Sequence, residues 1–305
     1  SLFKKEEWSM SLNQQVLVSV DTFEAVYTEI GKIVIGRKAE IKLLLMALLS
    51  EGHVLLEDLP GMGKTTLVKA FAKILNCSYR RIQCTPDLLP SDVLGTSVFN
   101  PKTTEFTFRQ GPIFTQILLV DEINRALPRT QSSFLESMEE RQVSVEGTSY
   151  PLSQPFMVLA TQNPLETDGT FPLPEAQLDR FLIRLRLGYP TKEEEQEMLA
   201  QVGDELPYDR LASLLHPEQI VDLQTQAKQV FVHSALQEYI VNLAHATRSH
   251  PLIHTGVSPR ASKALYRAVK SWALLHGRTF VLPDDIKALI VPVWNHRLIL
   301  HSEAK

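Results

Sequence analysis

The chain has 305 residues, 44% of them hydrophobic and 22% charged, and its 31 basic and 35 acidic residues give a formal net charge of -4. This length exceeds a typical single domain and favours two domains, each large enough to bury its own core. The charges are dispersed and the longest strongly apolar run, near residues 41–49, is short, so the sequence indicates neither a nucleic-acid-binding tail nor a membrane-inserted segment.

Residues 1–20 are set apart as an N-terminal extension that begins without an initiating methionine, and residues 21–188 form the first predicted domain. Short apolar runs alternate there with helical patterns, as in a sheet that is covered by helices. The predicted helices are 41–52 and 64–75, and the predicted strands are 53–57, 79–84, 117–121 and 156–161. The fold class of this domain is therefore α/β.

The stretch HVLLEDLPGMGKTT, from His53 to Thr66, joins the first strand to the second helix. A glycine-rich turn at a helix N-terminus presents backbone N–H groups to a polyphosphate, with Lys64 at the phosphate oxygens and the Thr65 hydroxyl at Mg²⁺. Asp58 stands where such a loop usually has its first glycine. Because aspartate adopts left-handed conformations more readily than most residues, we still expect the loop to close. The alternative is a turn that binds no ligand.

Two β-hairpins are predicted within the same domain. The first spans 97–111 and turns at Asn100-Pro101, and the second spans 141–152 and turns at Glu146-Gly147. Two hairpins inserted in an α/β core are unusual, so they help to identify a family.

The stretch ILLVDEINRA places two acidic residues, Asp121 and Glu122, at the end of an apolar strand. Downstream of a phosphate loop, the first acidic residue, Asp121, is expected to hold Mg²⁺ through water. The second, Glu122, is expected to polarise the attacking water. Two solvated carboxylates at a strand end are the alternative. Asn163 follows the next predicted strand, where its amide would orient the attacking water; by itself it would be a turn residue.

Two arginines are candidates for contact with a nucleotide phosphate. Arg180 lies in a segment placed after the sheet, and it is either an arginine finger acting on a neighbouring subunit's nucleotide or a partner of Asp179 in a surface salt bridge. Arg260 lies in the first turn of a predicted helix, where a cation opposes the helix macrodipole. Its placement there calls for another role, such as phosphate binding.

Residues 189–305 show only helical patterns and are predicted to form a separate helical domain. Thr191 and Glu194 make a capping box at the start of its first helix. A later helix has Ser258 as N-cap and Gly277 as terminator.

The order of LPGMGKTT, LLVDEINRA, ATQNPLETDGTFPLPEAQLDRF and GVSPRASKAL resembles the MoxR family of AAA+ ATPases, over nearly the whole chain from about residue 20. The resemblance implies a phosphate-loop ATPase domain with a parallel sheet and inserted hairpins, followed by an all-helical lid domain. It also implies a ring, typically a hexamer, with ATP between subunits and with the hairpins, assigned to 97–109 and 142–153, near the pore.

The resemblance also assigns residues to the reaction. Walker A and the nucleotide site comprise Ile35, Gly36, Asp58, Pro60, Gly61, Met62, Gly63, Lys64, Thr65 and Thr66. Walker B is Asp121 and Glu122, sensor 1 is Asn163, the finger is Arg180 and sensor 2 is Arg260, with Mg²⁺ held by Thr65 and Asp121. Asp58 is implied to be a family-typical variant of the loop. Whether Arg260 acts on its own subunit's ATP or on a neighbour's stays open.

The implied function is hydrolysis of ATP to ADP and phosphate by a chaperone-like remodeller that matures partner complexes, often with von Willebrand A domain partners. This chain lacks the Asp-x-Ser-x-Ser motif of that domain, which fits a separate partner. Two cysteines and no secretory signal favour the cytoplasm. The alternatives are a magnesium-chelatase-type subunit and a helicase-type nucleic-acid motor, which the pI near 6.2 disfavours.

Overall fold

The computed structural model of the chain describes residues 20–57, 61–102, 104–163, 169–200 and 210–302. Nearly all of the N-terminal extension lies outside the described residues, and so do Asp58 and Pro60 of the phosphate loop. Within the described ranges, every helix is too short or too polar to cross a bilayer.

The helices begin in chain order with α1, which covers residues 20–31. They continue with α2 (Lys38–Leu49), α3 (Lys64–Ile74), α4 (Pro90–Leu94), α5 (Pro128–Glu140), α6 (Glu175–Leu178), α7 (Lys192–Ala200), α8 (Pro217–Gln229), α9 (Ser234–Ser249), α10 (Pro259–Leu275) and α11 (Pro283–Trp294). The strands are β1 (Val54–Glu57), β2 (Tyr79–Gln83), β3 (Gly95–Asn100), β4 (Glu105–Gln110), β5 (Ile117–Asp121), β6 (Gln142–Val145), β7 (Thr148–Pro151), β8 (Met157–Gln162), β9 (Ile183–Leu185), β10 (Ile253–Thr255) and β11 (Ile299–Leu300).

A parallel sheet of five strands, in the order β2-β5-β8-β1-β9, forms the centre of the α/β region. The α/β fold with a parallel sheet is thus confirmed, and four of its strands agree with the predicted ones. The fifth, β9, was not predicted, because three residues are too few to show a pattern. Arg180 was wrongly placed beyond the sheet, since it lies just before this edge strand.

Both faces of the sheet are buried, which explains why its inner strands are continuous apolar runs. Alternate side chains point to opposite faces. One set joins α1, α2, α3 and the C-terminal helices in a single core: Val54, Leu56, Ile117, Leu119, Met157 and Leu159. The other set packs with α5: Leu55, Leu118, Val120, Val158 and Ala160.

The two predicted hairpins are present as β3 with β4 and β6 with β7. Glu146 and Gly147 both have positive φ, at 51° and 80°, as a two-residue turn of type I′ requires. The hairpins contact each other, since the rings of Phe108 and Tyr150 stack with centroids 4.2 Å apart. The Ser97 hydroxyl also donates to Glu146 over 2.8 Å.

The C-terminal region is helical, as predicted, with a small addition: β10 and β11 form an antiparallel ribbon. The predicted helix boundaries also agree, since the Thr191 N–H donates to Glu194 and Ser258 accepts from the Ala261 N–H. This region packs on α2 through buried polar contacts, such as the 2.8 Å hydrogen bond between the hydroxyls of Ser50 and Ser271.

Candidate active site

A cleft of about 380 Å³ lies at the carboxyl ends of β5 and β8, beside the start of α3. This edge of an open parallel sheet is where ligands bind in α/β proteins. The sequence-predicted residues that meet there are Gly61, Met62, Gly63, Lys64, Thr65, Thr66, Asp121, Glu122 and Asn163. Residues that are far apart in the chain therefore share one cleft.

Gly61 and Gly63 shape the described part of the phosphate loop. Their φ angles are 82° and 73°, in the left-handed region that favours glycine, and a Cβ at either position would meet no atom within 4 Å. Gly63 is the N-cap of α3, which begins at Lys64. The first N–H groups of a helix lack intrahelical partners and carry the positive end of its dipole, so this end of α3 suits a phosphate.

Asp121 and Glu122 are linked by one hydroxyl. Asp121 is 7% exposed, and its Oδ1 accepts a 3.1 Å hydrogen bond from Thr161 Oγ1. The same Thr161 oxygen accepts the Glu122 N–H over 2.9 Å. Glu122 has a left-handed backbone, with φ 53° and ψ 51°, and its carboxylate forms a 3.5 Å ion pair with Arg125. Thr161 thereby fixes the strand end that presents both acidic side chains to the cleft.

The cleft fits Mg²⁺ and a polyphosphate. Mg²⁺ prefers oxygen ligands, and the Thr65 hydroxyl and the Asp121 carboxylate both line this cleft. The start of α3 supplies the backbone N–H groups that a phosphate requires.

Glu57 connects three strands beneath the cleft. Gln162 of β8 donates to it over 2.8 Å, and Arg186, just after β9, donates over 2.6 Å. Burial alone would raise the pKa of Glu57, but these hydrogen bonds and the Arg184 guanidinium together hold it below its usual value. Glu57 is therefore an anion that fixes Gln162, the residue before Asn163.

A second, mostly apolar cavity of about 250 Å³ adjoins the phosphate loop. Its walls include Ile33, Val34, Ile35, Leu67, Leu187 and Met198. Of the two residues predicted to contact the nucleotide here, Ile35 lines the cavity. Gly36 packs against α7 instead, because a Cβ on it would overlap the Glu194 carboxylate. An apolar cavity next to a phosphate site suits a flat aromatic ring such as a nucleotide base.

Arg180 and Arg260 lie in a different cleft, of about 200 Å³, and none of the Walker residues that the structure describes lines it. Both guanidiniums meet the carboxylate of Glu139 near the end of α5, with Arg180 Nε 3.3 Å from Glu139 Oε2 and Arg260 paired with Oε1. Arg141 and Arg267 line the same cleft. The structure thus brings the two predicted arginines together, but away from their own subunit's phosphate loop.

Arg180 is not paired with Asp179, which was the alternative for it. Asp179 Oδ1 accepts a 2.6 Å hydrogen bond from Arg297, whose side chain is only 3% exposed. Arg297 also donates to the carbonyls of Asp179 and Phe181. This buried guanidinium from the C-terminal region holds the segment that presents Arg180.

Three candidate residues were not predicted from the sequence: Arg81, Thr161 and Glu139. Arg81 lines the main cleft, and its Nε donates to Asp121 Oδ2 over 2.6 Å. Two consecutive arginines in the predicted strand 79–84 were a signal for it, since neighbouring side chains on a strand point to opposite sides. Glu139 and Thr161 carried no comparable signal, because each is defined by partners distant in the sequence.

Comparisons with known proteins agree with this geometry. The model of the ATPase family associated with various cellular activities (AAA) matches residues 53–183, and the AAA lid domain model matches residues 245–305. The chain is 50% identical to the uncharacterized protein YeaC of Bacillus subtilis, over 90% of this chain and 86% of that protein.

Two further relatives are informative. The chain is 42% identical to chaperone MoxR1 of Mycobacterium tuberculosis, over 93% of this chain and 78% of that protein. It also superposes with a TM-score of 0.89 on a crystal structure from Cytophaga hutchinsonii whose name provisionally assigns it as an ATPase. That likeness has 39% identity and covers 97% of this chain and 92% of the other.

Proposed function

The chain belongs to the MoxR family of AAA+ ATPases, and we propose that it hydrolyses ATP between neighbouring subunits of a ring. We take this ring to be a hexamer, as is typical of the family. One observation carries this proposal. Arg180 and Arg260 are gathered at Glu139, in a cleft that neither the described part of the phosphate loop nor the acidic pair lines. Each chain then contributes two half-sites, and a complete site needs residues from two copies.

The first half-site binds ATP and activates water. Lys64 and the start of α3 bind the phosphates, while the apolar cavity beside Ile35 takes the base. Thr65 and Asp121 would hold Mg²⁺, which neutralises charge on the phosphate oxygens. Glu122 accepts a proton from the attacking water as the water oxygen bonds to the terminal phosphorus, while the bond from that phosphorus to the bridging oxygen breaks and ADP leaves. Asn163 orients the water.

The second half-site comes from the neighbouring copy. Its Arg180 and Arg260 exchange Glu139 for the terminal phosphate and stabilise the charge that develops there. An arginine supplied in trans is worth ~10³ to 10⁵ in rate. A subunit without its neighbour is therefore expected to be nearly inert, and Arg260 acts in trans.

We further propose that the hydrolysis remodels protein partners, with von Willebrand A domain proteins as the first candidates. The β3–β4 hairpin supports a protein partner: Phe99 and Phe106 are 50% and 71% exposed, and their ring centroids are 5.3 Å apart. Such an apolar tip suits a protein segment. We place this activity in the cytoplasm, consistent with two buried cysteines that form no disulfide.

The variant Glu122→Gln tests the proposed role of Glu122 in hydrolysis and the proposed remodelling of protein partners. Because it removes the proton acceptor and keeps the shape of the side chain, it should bind ATP with Mg²⁺ as the wild type does but lower turnover at least ~100-fold. With ATP bound, it should also retain protein partners on an affinity resin, which Lys64→Ala should not. Unchanged hydrolysis would refute the role of Glu122, and equal recovery of partners with both variants would refute ATP-dependent remodelling.

A further inference from the structure

Arg81 crosses from strand β2 to the acidic end of strand β5. Its Nε lies 2.6 Å from Asp121 Oδ2, and its Nη2 donates to Gln83 Oε1 over 3.1 Å. Gln83 lies opposite Asp121 in the strand register, so it braces the guanidinium beside the carboxylate. Arg81, Gln83 and Asp121 line the same cleft as Lys64 and Thr65.

This contact is not needed to hold the sheet together. Strands β2 and β5 already pair along their whole length, from Tyr79 with Ile117 to Gln83 with Asp121. The Arg81 side chain is 47% exposed and that of Asp121 is 10% exposed, so the guanidinium compensates the charge of a nearly buried carboxylate and is not a link that the two strands need. Arg81 is therefore better explained by the ligand that the cleft binds.

The two oxygens of Asp121 are shared between two donors. Oδ1 accepts from Thr161, which lies within β8, whereas Oδ2 accepts from the half-exposed side chain of Arg81. A nearly buried carboxylate requires a compensating charge or hydrogen bonds. Mg²⁺ at Asp121 would supply that charge and would repel the guanidinium, so the two cations compete for the same group.

We propose that Arg81 is a positioning residue that takes the place of Mg²⁺ at Asp121 and yields this place when Mg²⁺ and nucleotide bind together. Without metal, its guanidinium neutralises the Asp121 carboxylate and, beside Lys64, adds a second cation that faces the nucleotide phosphates. When Mg²⁺ is bound, the Arg81 guanidinium no longer contributes to the affinity for the nucleotide. This inference rests on the proposed ATP site.

Removing the charge of Arg81 should therefore affect nucleotide affinity differently with and without Mg²⁺. A charge-assisted hydrogen bond corresponds to about tenfold or more in affinity. Arg81→Gln should therefore weaken nucleotide binding about tenfold when Mg²⁺ is chelated, and change it less than about threefold when Mg²⁺ saturates. The half-saturating Mg²⁺ concentration should also fall, because the competing cation is gone.

The experiment measures binding of a fluorescent ATP analogue to the full chain in EDTA and in excess Mg²⁺. Arg80→Gln is the matched control, because it removes the same charge from the preceding position, which is exposed and does not line the cleft. Arg81→Lys keeps a cation and should retain most of the metal-free affinity. Thermal unfolding of each variant checks that it is folded.

Equal weakening of Arg81→Gln in both conditions would overturn the proposal, since an ordinary phosphate ligand or a structural residue would behave in that way. Unchanged binding in both conditions would overturn it too. A wild-type chain that binds no nucleotide even with Mg²⁺ would instead refute the proposed function, and this inference with it.

Discussion

The Thr161 hydroxyl links the two acidic residues of the candidate site. It donates to Asp121 and accepts from the Glu122 N–H, so it sets the positions of a metal-site carboxylate and of the proposed proton acceptor together. Glu122 adopts a left-handed backbone that is uncommon for a side chain of its size. One of the contacts that hold it there is this hydrogen bond.

Replacing Thr161 by valine should separate binding from turnover. Valine keeps the shape of threonine but removes both hydrogen bonds, and partners of this kind typically contribute 10- to 100-fold to activity. We expect a fall in kcat of about that size with a nucleotide affinity within a few-fold of wild type. Thr161→Ser should restore most of the rate. A steady-state ATPase assay of wild type, Thr161→Val and Thr161→Ser measures these rates. A Thr161→Val variant with the full kcat would contradict the proposed role of Thr161.

The nucleotide-contacting residues were predictable where they are contiguous in the chain. Two short contiguous motifs can be recognised from their residue types alone: Gly61 to Thr66, and Asp121 with Glu122. Arg81 was missed although its strand carried a signal, whereas Thr161 and Glu139 were not predictable, because their partners are 39 or more residues away, up to the 121 that separate Glu139 from Arg260. Only the folded sheet brings such pairs together.

Among the helices and strands, His53 connects β1, α5 and β8 at the amino end of the sheet. Its ring nitrogens contact the Met138 carbonyl of α5 and the Val158 N–H of β8, both at 3.0 Å, just before β1 begins. Burial lowers the pKa of His53 from 6.5 to about 4, so the imidazole is neutral in the folded protein at pH 7.

This depressed pKa predicts a stability change with a definite sign. Between pH 6.5 and about 4 the unfolded chain binds a proton at His53 that the folded chain does not, so the free energy of unfolding falls as the pH falls. From pH 7.5 to pH 5 the loss from this group is about 2 kcal/mol. It is fully recovered above the unfolded-state pKa.

Urea unfolding of His53→Gln at both pH values isolates the effect. The variant should be less stable than wild type at pH 7.5, and this gap should narrow by about 2 kcal/mol at pH 5, because glutamine does not titrate. His245→Gln, at an exposed position of α9, is the control for the same change of residue type. A gap of the same size at both pH values would contradict the buried neutral histidine.

Element prediction from the sequence succeeded where pattern and length were sufficient. The inner strands and both hairpins carry clear apolar runs or turn residues, and α10 has its N-cap and terminator at the predicted positions. Strand β9 was missed because its three residues, Ile183 to Leu185, are defined by pairing with β1 and not by a local pattern. The domain boundary near residue 189 stays a prediction.

At the scale of the whole molecule, the chain carries two halves of one proposed site on different surfaces. The phosphate loop and the acidic pair lie at the carboxyl edge of the sheet, while Arg180 and Arg260 meet at Glu139. In the proposed ring, head-to-tail contacts that repeat this arrangement would complete one site at every interface. Catalysis is therefore proposed to occur between copies of the chain.

Mixing two inactive variants tests whether catalysis occurs between subunits. Lys64→Ala keeps the arginines but loses the phosphate contact, whereas Arg180→Ala keeps the phosphate loop but loses the finger. Each alone should be nearly inactive, while a 1:1 mixture that assembles at random should have about a quarter of the wild-type ATPase rate, since one interface in about four is complete. The control mixes Lys64→Ala with the double variant carrying both changes, which leaves no complete interface. Recovery of activity only in the first mixture is the predicted result, and a first mixture as inactive as the control would contradict catalysis between subunits.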